Sequence, residues 1–176
     1  MIYPSKQMEE QAVLATAAHM CAAARTAPKA HGKDVVHTLV LTGEDKAALA
    51  DKMIEIGKRG GVEAWMSRDA ENVRSSQAVV LVGVKRSYRG VRHCGFCGFE
   101  TCGACKSAGA NCAMMYIDLG IALSSAVQAA AIGKVDNRIM LSIGEGAMEM
   151  HYTDEDVLWH GIPLSVTGKS GFFDRK

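Results

Sequence analysis

The sequence predicts an α+β fold, a central mainly antiparallel or mixed sheet flanked by helices, and three observations lead there. Two short apolar runs, residues 35–41 (VVHTLVL) and 78–84 (AVVLVGV), have the length and β-branched character of buried strands. Long stretches of good helix formers lie around and between them. A cysteine-rich segment, residues 93–112, is carried as an insertion between the second run and a long helix of small residues. With 176 residues and 48% hydrophobic content, the chain suits one domain, 1–176, with a substantial core.

The elements follow in order. A first helix is expected over residues 5–25, with Ser5 as a cap and Pro28 as the stop. Met8, Ala12, Ala15 and His19 share one of its faces, which reads as the buried side. After the first strand, a helix over 44–58 opens at Thr42 or Gly43, takes Ala47, Ala48, Met53, Ile54 and Ile56 as apolar positions, and ends at Gly60 and Gly61. Residues 65–76 are mixed and charged, predicting a short helix or an ordered loop. The unbroken apolar run 78–84 predicts a central strand. Beyond the cysteines, a helix over 113–131 stops at Gly133, and its Gly120, Ala122, Ser124, Ser125 and Ala126 predict tight packing. Asp136, Asn137 and Arg138 suggest turn and capping hydrogen bonds. Residues 139–143 are a strand candidate, 144–150 a short helix, and 157–166 a last strand interrupted by Pro163.

Composition excludes several function classes. The 20 basic and 19 acidic residues leave a formal charge of +1, so bulk electrostatics argue for neither nucleic acid nor a membrane as partner. Only 6% of residues are aromatic, which does not suit a base-stacking surface. The N-terminus, MIYPSKQMEEQ, lacks a basic stretch followed by an apolar run, and the apolar stretches at 12–24 and 117–131 are short for spans, so a cytoplasmic address is expected. In that reducing compartment clustered cysteines bind metal or do redox chemistry.

Five of the six cysteines fall in HCGFCGFETCGACKSAGANC; Cys21, among alanines upstream, reads as a small buried hydrophobe. Soft sulfur ligands this close point to a metal or iron–sulfur site. Cys94 and Cys97 are two residues apart, and Gly95 and Gly98 let the backbone curl so that sulfurs and amide N–H groups turn inward. Cys102 follows at the start of a short helix, Cys105 lies one turn on, and Cys112 sits beyond Gly109 at the foot of the next helix. The nucleus is C-x2-C-x4-C, and the fourth ligand is Cys112 or Cys105. Cys112 is favoured, because a ligand distant in sequence closes the coordination shell from the other side. Zinc is the competing metal, but the four residues between Cys97 and Cys102 are few for two facing knuckles.

Other stretches have weaker readings. His93 adjoins the cysteines and suits a donor outside the ligand shell. Lys85, Arg86, Arg89 and Arg92 form the one local basic concentration, fit for an acidic redox partner, a flavin phosphate or the charge of a cluster, or simply a solvated loop. Gly144-Glu145-Gly146 follows a strand candidate, but Glu149 stands where a dinucleotide fingerprint needs its third glycine. No spacing argues for a Ser-His-Asp arrangement or paired catalytic carboxylates.

Resemblances add to this reading. The nine residues Cys94-Gly95-Phe96-Cys97-Gly98-Phe99-Glu100-Thr101-Cys102 resemble the motif of the four-iron, four-sulfur domain in electron-transfer and corrinoid-linked proteins of anaerobes. The resemblance implies a [4Fe-4S] cluster on Cys94, Cys97, Cys102 and a fourth ligand, taken as Cys112, although the spacing to Cys112 is shorter than in that domain. ARTAPKAHG, CGFCGF, IDLGIA, VDNRIM, GIPLS and the closing FFDR resemble an uncharacterised microbial family of ferredoxin-domain-containing proteins, over nearly the whole chain. A further similarity is to FMN-dependent nitroreductases, carried by Ala24-Arg25-Thr26-Ala27-Pro28-Lys29 before the first strand and by Asp118-Leu119-Gly120-Ile121-Ala122 in the long helix. It implies a nitroreductase-like sandwich, a homodimer, and FMN bound through Arg25, Thr26 and Lys29, with Lys169 and Arg175 open to the same role. The arginine-serine-x-arginine stretch that opens many nitroreductases is absent, so FMN stays open. Together these features predict an iron–sulfur redox protein, with a flavin-linked oxidoreductase as its enzymatic form. Its partner would be a redox protein or a small-molecule electron acceptor. The alternative is a non-enzymatic binding or sensing module with a structural metal, zinc or iron–sulfur.

Overall fold

The apolar run at the centre of the chain becomes the spine of one sheet. In this computed structural model, which describes residues 1–173, strand β2 (Ala78–Lys85) lies between β1 (Val36–Leu41) and β4 (Val157–Ser165), and β3 (Asp136–Asn137) borders β4. The order is β1-β2-β4-β3 and every pairing is antiparallel. Because side chains alternate across a strand, β2 feeds two cores at once. Ala78, Val80, Val82 and Val84 face one side with Val36, Ile162 and Leu164. Val79 and Leu81 face the other with Leu41, Val157 and Trp159. The first side is covered by α1 (Ser5–Thr26) and α5 (Ala113–Ile132), the second by α2 (Gly43–Gly60), α3 (Glu63–Ser75) and α6 (Leu141–Glu149). A short α4 (Cys102–Ser107) belongs to the cysteine segment.

Several expectations need correction. Residues 139–143 do not form a strand. Only Met140 bridges, exchanging hydrogen bonds with Gly161 at 2.8 and 3.3 Å, and α6 begins at the next residue. The glycines of the GEG sequence lie inside α6, where a side chain would not fit: a Cβ on Gly144 would stand 2.0 Å from the Trp159 carbonyl oxygen, and one on Gly146 would meet Leu49 and Met53 at 2.9 Å. Gly144 serves close packing of α6 on β4, and Gly146 close packing of α6 on α2. The buried face of α1 is Val13, Thr16, Ala17, Met20 and Ala24, while Met8, Ala12, Ala15 and His19 are exposed. Ser5 is the first helical residue, and Pro4 occupies the cap. In α2 the buried set is Lys46, Leu49, Ala50, Met53 and Gly57.

Pro163 does not interrupt the last strand. Gly161 points its N–H and C=O toward Met140, so Pro163, two residues on, turns its missing N–H to the same side. There the ladder between Asn137 and Met140 is already open. The mixed stretch before β2 is the full helix α3, whose end is closed by the buried Lys46: its Nζ donates to the carbonyls of Val73 (3.1 Å), Arg74 (2.8 Å) and Ser76 (2.5 Å). Asp136 and Asn137 make the expected local bonds and also the short strand β3. Helix α5 is long and apolar enough to cross a membrane by length and composition; here it packs along α1 and the sheet. Arg175 and the end of the FFDR stretch lie outside the described residues.

Candidate metal centre

The cysteine segment leaves β2 at Lys85 and re-enters the core at α5, and both of its ends are pinned. Arg86 donates through Nε to Asp156 Oδ1 and through Nη1 to Asn111 Oδ1, each at 3.0 Å. Tyr88 donates its hydroxyl to the Ala110 carbonyl at 2.8 Å. Arg89 pairs with Asp118, in the second turn of α5, at 2.7 Å. The loop is thus fixed against the helix that ends it.

Within that frame the chain curls tightly. Gly95 and Gly98 take φ of 60° and 82°, a region that favours glycine, and Gly98 N–H closes a turn on Gly95 O at 2.9 Å. Thr101 caps α4, its Oγ1 accepting from Ala104 N–H at 3.1 Å, which sets Cys102 as the first helical residue. Cys112 is the capping residue of α5. As a result Cys94, Cys97, Cys102 and Cys112 share the wall of one small cavity with Arg89 and Met114. Cys105 is not in that wall. It is fully buried one turn after Cys102 in α4, with Sγ 3.5 and 3.6 Å from the carbonyl oxygens of Ala110 and Asn111 and hydrogen-bonded to the Cys97 thiol. Among the described residues, no three His, Cys, Asp or Glu side chains gather closely enough about one point to hold a single ion.

The thiols are differentiated electrically. The Phe99 backbone N–H holds Cys97 below the usual thiol range against the opposing effect of burial, helped by the Cys105 thiol and the N–H groups of Cys97 and Ala113. Burial pushes Cys105 up, and its hydrogen bond to Cys97 pushes it further. The two shifts run in opposite directions, moving Cys97 toward the thiolate, the form that binds metal, and Cys105 away from it. Tyr88 is pushed up by burial and by the negative charge of Cys105, Cys112 and Cys97.

The remaining predicted residues are placed elsewhere. His93 is exposed, with φ of 55°, and takes no part in the cavity wall. The basic concentration is not a patch in three dimensions, because Lys85 pairs with Glu155 (2.9 Å), Arg86 with Asp156 and Arg89 with Asp118. Arg25 pairs with Asp34 at 2.7 Å and also donates to the Val36 carbonyl. Thr26 Oγ1 donates to Ala22 O at 2.9 Å, and Lys29 Nζ donates to Ala27 O at 2.8 Å. In this structure those three residues direct these donors to protein acceptors, Arg25 to Asp34 and β1, Thr26 and Lys29 to the end of α1. Cys21 is half-buried in α1, its thiol raised by burial.

Sequence reasoning missed the Arg89–Asp118 pair. Both side chains are sealed from solvent, at 0% and 2% exposure. Asp118 also accepts from the Ala30 N–H at 2.9 Å, tying α5 to the turn that follows α1. The signal was a single carboxylate in an otherwise apolar helix, since a charge is buried only when paired.

Helices on both faces of this antiparallel sheet define a nitroreductase-type fold, with the cysteine-lined cavity in the segment between β2 and α5. The family described as "Uncharacterized protein containing a ferredoxin domain (DUF2148)" matches residues 108–175. A relative from Archaeoglobus fulgidus, described as an uncharacterized protein, is 41% identical over 183 aligned positions, covering 99% of this chain and 98% of its own. The chain belongs to this family of ferredoxin-domain proteins. Among solved structures it is similar to a protein from Bacteroides thetaiotaomicron assigned as an NADH dehydrogenase/NAD(P)H nitroreductase (TM-score 0.57, 12% identity, 88% of this chain and 74% of that one). It is also similar to one from Desulfovibrio desulfuricans assigned as a nitroreductase, in complex with FMN (TM-score 0.56, 14% identity, 92% and 78%). A nitroreductase family protein from Clostridium novyi NT gives a TM-score of 0.55 at 15% identity, over 86% of this chain and 73% of that one. At these identities the likeness is one of fold.

Proposed function

We propose that this chain is an iron–sulfur redox protein that holds one [4Fe-4S] cluster through Cys94, Cys97, Cys102 and Cys112. The observation that carries the reading is that these four cysteines, without Cys105, line one cavity. The cluster, when bound, supplies one-electron transfer. The chain's own residues prepare for it. The N–H groups of Phe99 and Ala113 and the thiol of Cys105 stabilise negative sulfur at Cys97, as donors around a cluster do.

The fold supports a flavin-linked oxidoreductase as the enzymatic form, exchanging electrons with a redox protein or a small-molecule acceptor. Arg25, Thr26 and Lys29 do not fit FMN as they stand, so no step is derived through it. A homodimer is supported by α5: Ile117, Ile121 and Ile132 lie along one face of it at 40%, 37% and 76% exposure. A helix apolar on all sides is expected to be covered. Sedimentation of the loaded protein tests this point.

The central test is anaerobic purification with analysis of iron, sulfide, zinc and flavin, followed by Cys112→Ser and Cys105→Ser separately. A coloured protein with equal iron and sulfide is expected, with loss of colour in Cys112→Ser and its retention in Cys105→Ser. Stoichiometric zinc without colour overturns the redox reading in favour of a structural-metal module. Retained colour in Cys112→Ser overturns the ligand set. Yellow flavin released on denaturation establishes the flavin-linked form.

A further inference from the structure

Arg89 is the bulkiest side chain wholly sealed from solvent, and it forms part of the wall of the cysteine cavity. Its Nε donates to Asp118 Oδ2 at 2.7 Å, and its Nη1 donates to Ser87 Oγ at 2.6 Å and Ser87 O at 3.1 Å. Its Nη2 is buried and has no acceptor. A guanidinium carries all of its donors permanently, and a buried charged donor left unpaired bears its full desolvation cost. The geometry therefore lacks an acceptor for either N–H of Nη2, next to four sulfurs that would be rich in negative charge.

We propose that Arg89 sets the reduction potential of the centre, its Nη2 donating to a sulfur of the bound cluster or to a ligating thiolate; this rests on the cluster reading above. Reduction adds one electron and one negative charge, and a fixed cation beside the sulfur stabilises the more negative state. A guanidinium keeps its charge across the ordinary pH range, so its contribution is the same at each pH. Asp118 plays the opposing part. Its Oδ2 orients the guanidinium and its carboxylate offsets part of the charge, while Oδ1, held by the Ala30 N–H at 2.9 Å, keeps the pair in register. The two residues have opposite signs of influence on one potential, which a merely structural ion pair would not have.

The test compares the anaerobically purified parent with Arg89→Gln, Arg89→Lys and Asp118→Asn. Each is measured for iron content, for melting temperature, and for potential by stepwise one-electron titration with dithionite and mediators at two pH values. Arg89→Gln is expected to weaken the reduction equilibrium at least tenfold, about 59 mV downward for one electron. Arg89→Lys, which keeps the charge, recovers most of that loss, and Asp118→Asn shifts the potential upward. Neither shift changes with pH. An iron-loaded Arg89→Gln at the parent potential overturns the proposal, as does a shift of the same direction in Arg89→Gln and Asp118→Asn. If Arg89→Gln fails to fold, an unmoved potential in Asp118→Asn overturns it alone. A parent without iron and sulfide removes the cluster reading and this inference together, an outcome distinct from a loaded parent whose variants do not move.

Discussion

Gly144→Ala is the sharpest test of how α6 seats on the sheet. The added methyl would lie 2.0 Å from the Trp159 carbonyl oxygen, 2.8 Å from its carbon and 3.1 Å from His160 Cα. The obstacle is backbone of a paired strand, which no rotamer change can move aside. To reach ordinary contact at 3.4 Å, α6 must withdraw by about 1.4 Å at that point. Withdrawal lifts Ile143, fully buried and seated in the space that Gly161 leaves open, where a Cβ would stand 1.9 Å from Ile143 Cγ2. Overpacking of this kind costs about 1–3 kcal/mol, and unseating one or two methylenes of Ile143 adds about 1 kcal/mol. A total near 3 kcal/mol is a large share of the roughly 5–15 kcal/mol of a typical domain, and lowers the melting temperature by about 6–12 °C at this chain length. Equilibrium urea denaturation followed by circular dichroism measures it, with Gly168→Ala as the control, since nothing lies within 4 Å of a Cβ there. A Gly144→Ala protein within about 0.5 kcal/mol of the parent, the scatter of an ordinary surface change, refutes the close helix-on-strand contact.

Two further outcomes follow from buried polar groups. Lys46→Met removes the ammonium that closes the end of α3 on the carbonyls of Val73, Arg74 and Ser76; hydrogen bonds to a charged group are worth about 1.5–3 kcal/mol, so a loss of that order in urea, together with early amide exchange in α3, is expected. His160 is held below its ordinary 6.5 by burial, so the fold favours the neutral ring. Its contribution is present above pH 6.5 and is lost as pH falls through the lower folded value. Urea midpoints should decline between pH 7 and 5, and the slope should flatten in His160→Gln; an unchanged slope assigns the decline to other groups.

What was legible in the chain was what local pattern dictates. The run 78–84 read as a central strand because both of its faces are buried, and the glycines at 95 and 98 read as turns because their spacing leaves the cysteines little else to do. Helix α1 was found but its buried face was not. In an alanine-rich helix the apolar contrast between faces is slight, and the partner helix α5 decides which side is covered. Ile139 and Ile143 suggested a strand through β-branching, yet Gly144 against Trp159 and Gly161 beneath Ile143 are what allow a helix to lie on β4 there. The basic run before the cysteines looked like a surface patch because sequence shows charges only along the chain. Glu155 and Asp156 reach Lys85 and Arg86 across the β2–β4 pairing, 70 residues away, and no local rule reports that meeting.

Of the five cysteines in the inserted segment, only Cys112 belongs to either hydrophobic core. The sheet and its five long helices close around aliphatic side chains that need nothing inorganic to come together. Small zinc modules are different, because for them metal binding and folding are one event. If the proposed centre binds, the core residues set an order in which the polypeptide folds first and the centre is added last. On the proposed reading, iron and sulfide would reach cysteines that the folded chain leaves accessible, Cys94, Cys97 and Cys102 being partly open to solvent. A chelator that strips the centre should accordingly leave a protein that melts as a folded one and can be filled again.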